Sequence, residues 1–118
     1  MENKFEVSLL LDFYGKLLTE KQYEILNLYI NDDYSLSEIS KEYNISRQGI
    51  YDNIKRGKIF LYEIESKLEL LKKYTKKQDK IKEIIELIEK IDIKNVSQST
   101  KKYLEKIKEE IFYIINND

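Results

Sequence analysis

Cysteine, proline, histidine and tryptophan are all missing from this chain, and only three of its 118 residues are glycine. Each absence removes a class of answers. Without cysteine there is no disulfide framework and no thiolate metal site. Without histidine, the commonest acid–base group and metal ligand is gone. With no proline and few glycines, little interrupts a helix, and Lys, Glu, Ile and Leu throughout indicate an all-α chain. No long apolar run occurs, and Glu2 follows Met1 directly. The expectation is therefore no membrane span, no signal peptide and a cytoplasmic location. A glycine-rich phosphate loop, a Ser–His pair and a metal-ligand cluster are also missing. Glu83, Glu86 and Glu89 alternate with lysines, as on a solvated helix face. No enzyme activity and no cofactor are expected.

What the chain does contain is concentrated between Ser35 and Arg56. Ser35 and Glu38 have the spacing of a capping box, in which hydroxyl and carboxylate each satisfy an orphan N–H at a helix start. Asn44 tolerates the left-handed conformation that ends a short helix in a sharp turn. Ser46 then caps a second helix. Ile39, Ile45, Ile50 and Ile54 supply the apolar positions that two crossed helices bury against a third. Arg47, Gln48, Tyr51, Asp52 and Lys55 fall on the outward face of the second helix. This is the layout of a helix-turn-helix, whose second helix enters the major groove. There arginine forks to guanine and glutamine to adenine, while Lys55 and Arg56 suit phosphate. The candidate DNA-binding residues are Ser46, Arg47, Gln48, Tyr51, Asp52, Lys55 and Arg56. The same spacing also fits a helix pair in an all-helical protein that never meets nucleic acid.

Charge limits the strength of any such contact. Twenty-one basic and twenty-two acidic residues leave a net charge of −1, far from the basic balance of a dedicated DNA-binding domain. Residues 47–58 alone carry four basic groups against Asp52, a local charge of +3. A few phosphate contacts give weak, strongly salt-dependent binding to double-stranded DNA. Asp52 on the presumed reading face repels phosphate unless it accepts from a cytosine amine.

The rest of the chain resolves into helices. Phe5, Leu9, Phe13 and Leu17 outline a first amphipathic helix ending near Gly15, and Thr19 with Gln22 opens a second through Ile25, Leu26, Leu28 and Tyr29. Beyond Arg56 no stop signal precedes about Tyr74, so the recognition helix is expected to run on as a rod of about 28 residues, roughly 42 Å. Gly57 is the expected bend. Ile54, Leu61, Ile64, Leu68 and Leu71 keep the apolar spacing. Ile81, Ile84, Ile88 and Ile91 repeat it, as do Leu104, Ile107, Ile111 and Ile114, with a loop over residues 93–97 and Ser97 or Ser99 as the last cap. Such stripes fit helices packed into a bundle, or an apolar seam between two copies in a homodimer. Domains are expected at 1–62, the helix-turn-helix, and 63–118, a C-terminal helical extension packing on it or on a second copy. The ten tyrosines form no stacking array, and most are expected as half-buried rims. The lysines of residues 72–77 read as a solvated helix end.

Leu18-Thr19-Glu20-Lys21-Gln22, Ile25-Leu26-Asn27-Leu28-Tyr29, Ser35-Leu36-Ser37-Glu38-Ile39 and Ile45-Ser46-Arg47-Gln48 resemble the promoter-reading region 4 of bacterial sigma factors, over residues 17–62. A resemblance covering almost the whole chain is to the small bacterial YlxM family. It rests on Leu11-Asp12-Phe13-Tyr14-Gly15, Leu17-Leu18-Thr19, the run from Asp32 to Ile39, and Ser46-Arg47-Gln48-Gly49-Ile50-Tyr51-Asp52-Asn53-Ile54-Lys55-Arg56. The resemblance implies a sigma region 4-like helix-turn-helix followed by a long helix and a C-terminal helical hairpin, acting as a DNA-binding regulatory protein. Genes of that family usually stand beside those for the signal recognition particle GTPase or its receptor. Membership therefore implies a role in that pathway, or alternatively an adaptor binding the particle's GTPase, receptor or RNA with a vestigial helix-turn-helix. Gly49 departs from the small alanine of the family pattern, at a cost of about 1 kcal/mol in a helix interior.

Overall fold

The computed structural model describes residues 3–116; Met1 and Glu2, which carried the signal-peptide expectation, lie outside them. Among the described residues there are six α-helices and no strand. They are α1 (Lys4–Tyr14), α2 (Glu20–Ile30), α3 (Leu36–Tyr43), α4 (Arg47–Leu68), α5 (Leu70–Glu89) and α6 (Gln98–Asn116). Short 3-10 turns at Gly15–Leu17 and Ile93–Asn95 join α1 to α2 and α5 to α6. The all-α expectation holds. No helix among the described residues is long and apolar enough to cross a membrane.

The chain divides into two compact units, residues 1–71 and 72–118. The boundary expected after residue 62 falls inside α4. In the first unit α4 is the central element, packed against α1, α2 and α3. Its Ile50, Ile54 and Leu61 meet a core supplied by Val7, Leu10, Leu11 and Tyr14 of α1, Ile25, Leu26 and Ile30 of α2, and Ile39 of α3. Gly57 brings no bend. It is buried within continuous α4, where an added Cβ would lie 3.3 Å from Leu26 Cδ2.

Local chemistry starts α2 where the sequence indicates. Thr19 accepts from the Gln22 N–H at 3.1 Å while Gln22 accepts from the Thr19 N–H, closing one capping box. Gly15 gives way to an aromatic ring, because a Cβ there would stand 2.7 Å from Tyr23 Cε2. The face of α1 is corrected. Phe5 is 73% and Leu17 57% exposed, and Phe13 is also exposed, while Val7, Leu10, Leu11 and Tyr14 go inward. This helix carries apolar residues on nearly every side, so periodicity alone does not choose between its faces.

The expected rod to Tyr74 is also corrected. Helix α4 ends at Leu68 after 22 residues, and Glu69 turns left-handed at φ 56°, ψ 29°. A polar latch holds this break. The buried Tyr14 hydroxyl donates to Glu65 Oε1 at 2.6 Å and accepts from the Leu70 N–H at 3.0 Å. Glu65 Oε1 also accepts from the Leu71 N–H at 3.0 Å. Two orphan donors at the start of α5 are satisfied in this way, and the carboxylate suits a helix N-terminus. Burial, and then the Glu65 carboxylate, raise the Tyr14 hydroxyl above its ordinary pKa.

In the second unit, Ser97 accepts from the Thr100 N–H at 3.1 Å and caps α6. The apolar stripes of this unit are only partly buried. Ile81 and Ile111 go inward, whereas Ile84, Ile91, Ile107 and Ile114 remain exposed. Of the tyrosines, Tyr14 is fully buried and Tyr103 is 69% exposed, so neither is a half-buried rim.

Candidate nucleic-acid interface

The helix-turn-helix geometry is built from α3, the turn at Asn44 and the first turns of α4. Ser35 Oγ accepts from the Glu38 N–H at 3.1 Å, and a Glu38 carboxylate oxygen accepts from the Ser35 N–H at 3.0 Å. The backbone N–H and then the hydroxyl of Ser35 hold the Glu38 carboxyl below its ordinary pKa. Asn44 closes α3 in the left-handed region, at φ 53° and ψ 46°. The Ser40 hydroxyl donates to the Ile45 carbonyl across the turn. Ser46 Oγ accepts from the Gly49 N–H at 3.0 Å and starts α4. The hydroxyl of Ser46 is thereby occupied as a cap. The Tyr43 hydroxyl, raised in pKa by its partial burial and by Glu24, donates to that carboxylate at 3.0 Å and ties α3 to α2.

Gly49 gains a reason in this turn. An added Cβ would stand 2.7 Å from Ile45 Cγ2 and 3.1 Å from Ser46 Oγ. Ile45, expected in the core, is half-buried over this spot. Its β-branched side chain has little freedom to move aside. The glycine lets the turn close against the capping hydroxyl, which offsets part of its helix-propensity cost.

Helical spacing along α4 places Arg47, Tyr51, Lys55 and Lys58 in one stripe, at i, i+4, i+8 and i+11. Gln48 and Asp52 form the adjacent stripe, and Arg56 lies a further part-turn away. Arg47, Gln48, Tyr51, Lys55 and Arg56 are exposed, and Asp52 is half-buried. Leu36 of α3 joins Arg47, Gln48 and Tyr51 around a shallow concavity of about 400 Å³. Leu36 and Tyr51 also border a second hollow of about 270 Å³, with Tyr29, Ile54, Lys55, Lys58 and Ile59. The two form a trough running from the start of α4 along its exposed side.

Asp52 has a partner that changes its expected role. Its Oδ1 accepts from Gln48 Nε2 at 3.0 Å, one helical turn away. The carboxylate thereby orients the glutamine amide, and Gln48 Oε1 and its second N–H can still pair with an adenine edge. Sequence reasoning left Tyr29 and Lys4 out of this region. The Lys4 ammonium lies 4.5 Å and that of Lys58 5.5 Å from the centre of the Tyr29 ring. Lys4 also stands 4.0 Å from Asp33, which lowers the positive field at that end. Only the third dimension brings Lys4, Tyr29 and Lys58 together. No group of three or more metal-ligating side chains occurs among the described residues.

Comparison with known proteins agrees with this geometry. A family model described as "Putative helix-turn-helix protein, YlxM / p13 like" matches residues 1–109. A UPF0122 protein of Acetivibrio thermocellus is 48% identical over 117 residues, covering 99% of this chain and all of the relative. One from Clostridium perfringens is 46% identical over 111 residues, covering 94% of this chain and 97% of the relative. One from Halalkalibacterium halodurans is 43% identical over 90 residues, covering 76% and 83%. The chain belongs to the UPF0122 family of YlxM-like helix-turn-helix proteins.

Proposed function

We propose that this protein is a non-enzymatic regulator in the cytoplasm that binds double-stranded DNA through the start of α4. The observation that carries the reading is the exposed stripe of Arg47, Tyr51 and Lys55, set directly behind the left-handed turn at Asn44 and beside the Gln48–Asp52 pair. Arg47 and Gln48 stand in the first helical turn, where a recognition helix meets base edges. Tyr51 and Leu36 offer apolar contact for a thymine methyl, and Lys55, Lys58 and Arg56 suit the flanking phosphates. The near-neutral net charge keeps affinity modest. Service in the signal recognition particle pathway, through the particle's GTPase, receptor or RNA, is supported by the family's gene neighbourhood and not by a surface feature.

The test is selection from a randomised duplex pool with the wild-type chain and with Arg47→Ala. Wild type should enrich a short motif, and Arg47→Ala should lose preference at one base pair by about 10- to 100-fold, the worth of a bidentate guanine contact. A pool that stays unenriched with wild type refutes base reading by this helix.

A further inference from the structure

We propose that the second unit docks a second copy of this chain through one apolar face of its helical hairpin. The hairpin has almost no core of its own. Among its described residues, Ile81 and Ile111 are the buried apolar side chains, and each is still 8% exposed. Ile81 and Ile85 of α5 line a groove together with Ile115 of α6, so the two helices face each other along those residues. Their connection through the turn at Ile93–Asn95 makes them antiparallel. Outside that seam, Ile84, Leu87 and Ile91 of α5 and Tyr103, Ile107 and Ile114 of α6 are exposed, Leu87 by 63% and Tyr103 by 69%, while Phe112 and Tyr113 are exposed on other sides of α6.

These six side chains share one side of the hairpin. At 100° per residue, each exposed triplet lies about a quarter turn from the seam residues of its own helix, in the same rotational sense. In antiparallel helices, an equal sense of rotation points to the same side. The spacing within each triplet is three or four residues, or their sum, as in helices that interlock with another pair. A hairpin with one apolar face completes its core by adding a second layer, and a four-helix bundle is the simplest closed solution.

Area and charge favour a second copy as the occupant. The residual exposed surface of the six side chains is on the order of 600 Å² per copy, close to the roughly 800 Å² that each partner gives to a standard interface. The face also carries Lys80 in the middle of α5 and Glu110 in the second half of α6. They make exposed ion pairs with Glu83 and Lys106 on their own helices, at 3.2 and 3.3 Å. A two-fold axis along the hairpin lays α5 of one copy over α6 of the other, and turns the lysine-bearing helix of each copy toward the carboxylate-bearing helix of its partner. Such self-complementarity is what an isologous interface requires.

Sedimentation of the full chain across a concentration series tests this, with the Leu87→Glu/Ile107→Glu variant beside it. Wild type should be a dimer at micromolar concentration. The variant should weaken the dimer at least about 100-fold while keeping its helical circular dichroism, because both side chains lie outside the buried seam. If the charged variant loses helicity, Leu87→Gln serves in its place and should weaken the dimer measurably. A wild-type chain that stays monomeric up to about 100 µM overturns the proposal, whether the face then stays open or is covered by another protein. A dimer unaffected by folded variants of this face overturns it equally.

Discussion

Replacing Tyr14 by phenylalanine removes one oxygen from the junction between α4 and α5 and leaves the ring in place. The side chain is 1% exposed, so the phenylalanine ring occupies the same space without a new cavity. Two hydrogen bonds vanish, the donation to Glu65 Oε1 at 2.6 Å and the acceptance from the Leu70 N–H at 3.0 Å. The first is charge-assisted, and the second leaves a part-buried N–H without this partner. Together they are worth about 2–3 kcal/mol, which for a chain of this size lowers the melting temperature by roughly 8–12 °C. Thermal and urea unfolding followed by circular dichroism at neutral pH measure it. Glu65→Gln retains an acceptor oxygen and should cost less. Burial and Glu65 raise the Tyr14 pKa above 10.0, so the neutral hydroxyl's contribution is complete below that pH. It is lost as pH climbs through the raised value, and the gap between wild type and Tyr14→Phe should narrow there. A loss under about 0.5 kcal/mol at neutral pH would refute the latch as a support of the helix break.

Gly49→Ala should gain less than the about 1 kcal/mol that helix propensity offers, and the full gain should return when Ile45→Ala is added. Additive effects in that double-mutant cycle would contradict the close approach of Ile45 Cγ2. The capping carboxylate of Glu38 has a lowered pKa, so its contribution is present above the ordinary value of 4.5 and fades as pH falls through the lowered one. The stability difference between wild type and Glu38→Ala should therefore shrink between neutral pH and pH 3. A difference that holds constant over that range would count against the capping box. Asp52→Ala should weaken preference for adenine at the base pair facing Gln48 while leaving total affinity unchanged or higher, since a negative charge is lost; selection from a duplex pool reads both. An intact adenine preference would show that Gln48 needs no help from Asp52.

The parts of the fold legible in the sequence are those decided within a few residues. Ser35 with Glu38, Thr19 with Gln22, Asn44 in its left-handed turn and Ser46 as a cap act over three residues or fewer, and each stands where its spacing places it. The helix-turn-helix was readable for that reason. The end of α4 was not, because Glu69 takes a left-handed conformation that glycine usually signals, and the group that secures the break is Tyr14, far back in the chain. The inward face of α1 was hidden for a different cause. With apolar residues on nearly all sides, only packing against α4 and α2 decides that Val7 and Leu10 go in and Phe5 stays out. At the candidate interface, the Gln48–Asp52 pair was open to a reading at i, i+4 spacing, yet Asp52 looked like a liability when taken alone. Lys4 and Tyr29 gave no local signal, since tertiary folding alone carries them to Lys58.

Binding of the full chain to a fluorescent duplex, titrated from low to physiological salt, tests the DNA-binding reading most directly. Three phosphate contacts by Lys55, Arg56 and Lys58 predict that log affinity falls with log salt at a slope of about −3, and that Lys55→Ala reduces the slope by about 1. No binding at low salt with protein at about 100 µM, or binding indifferent to salt, would contradict it.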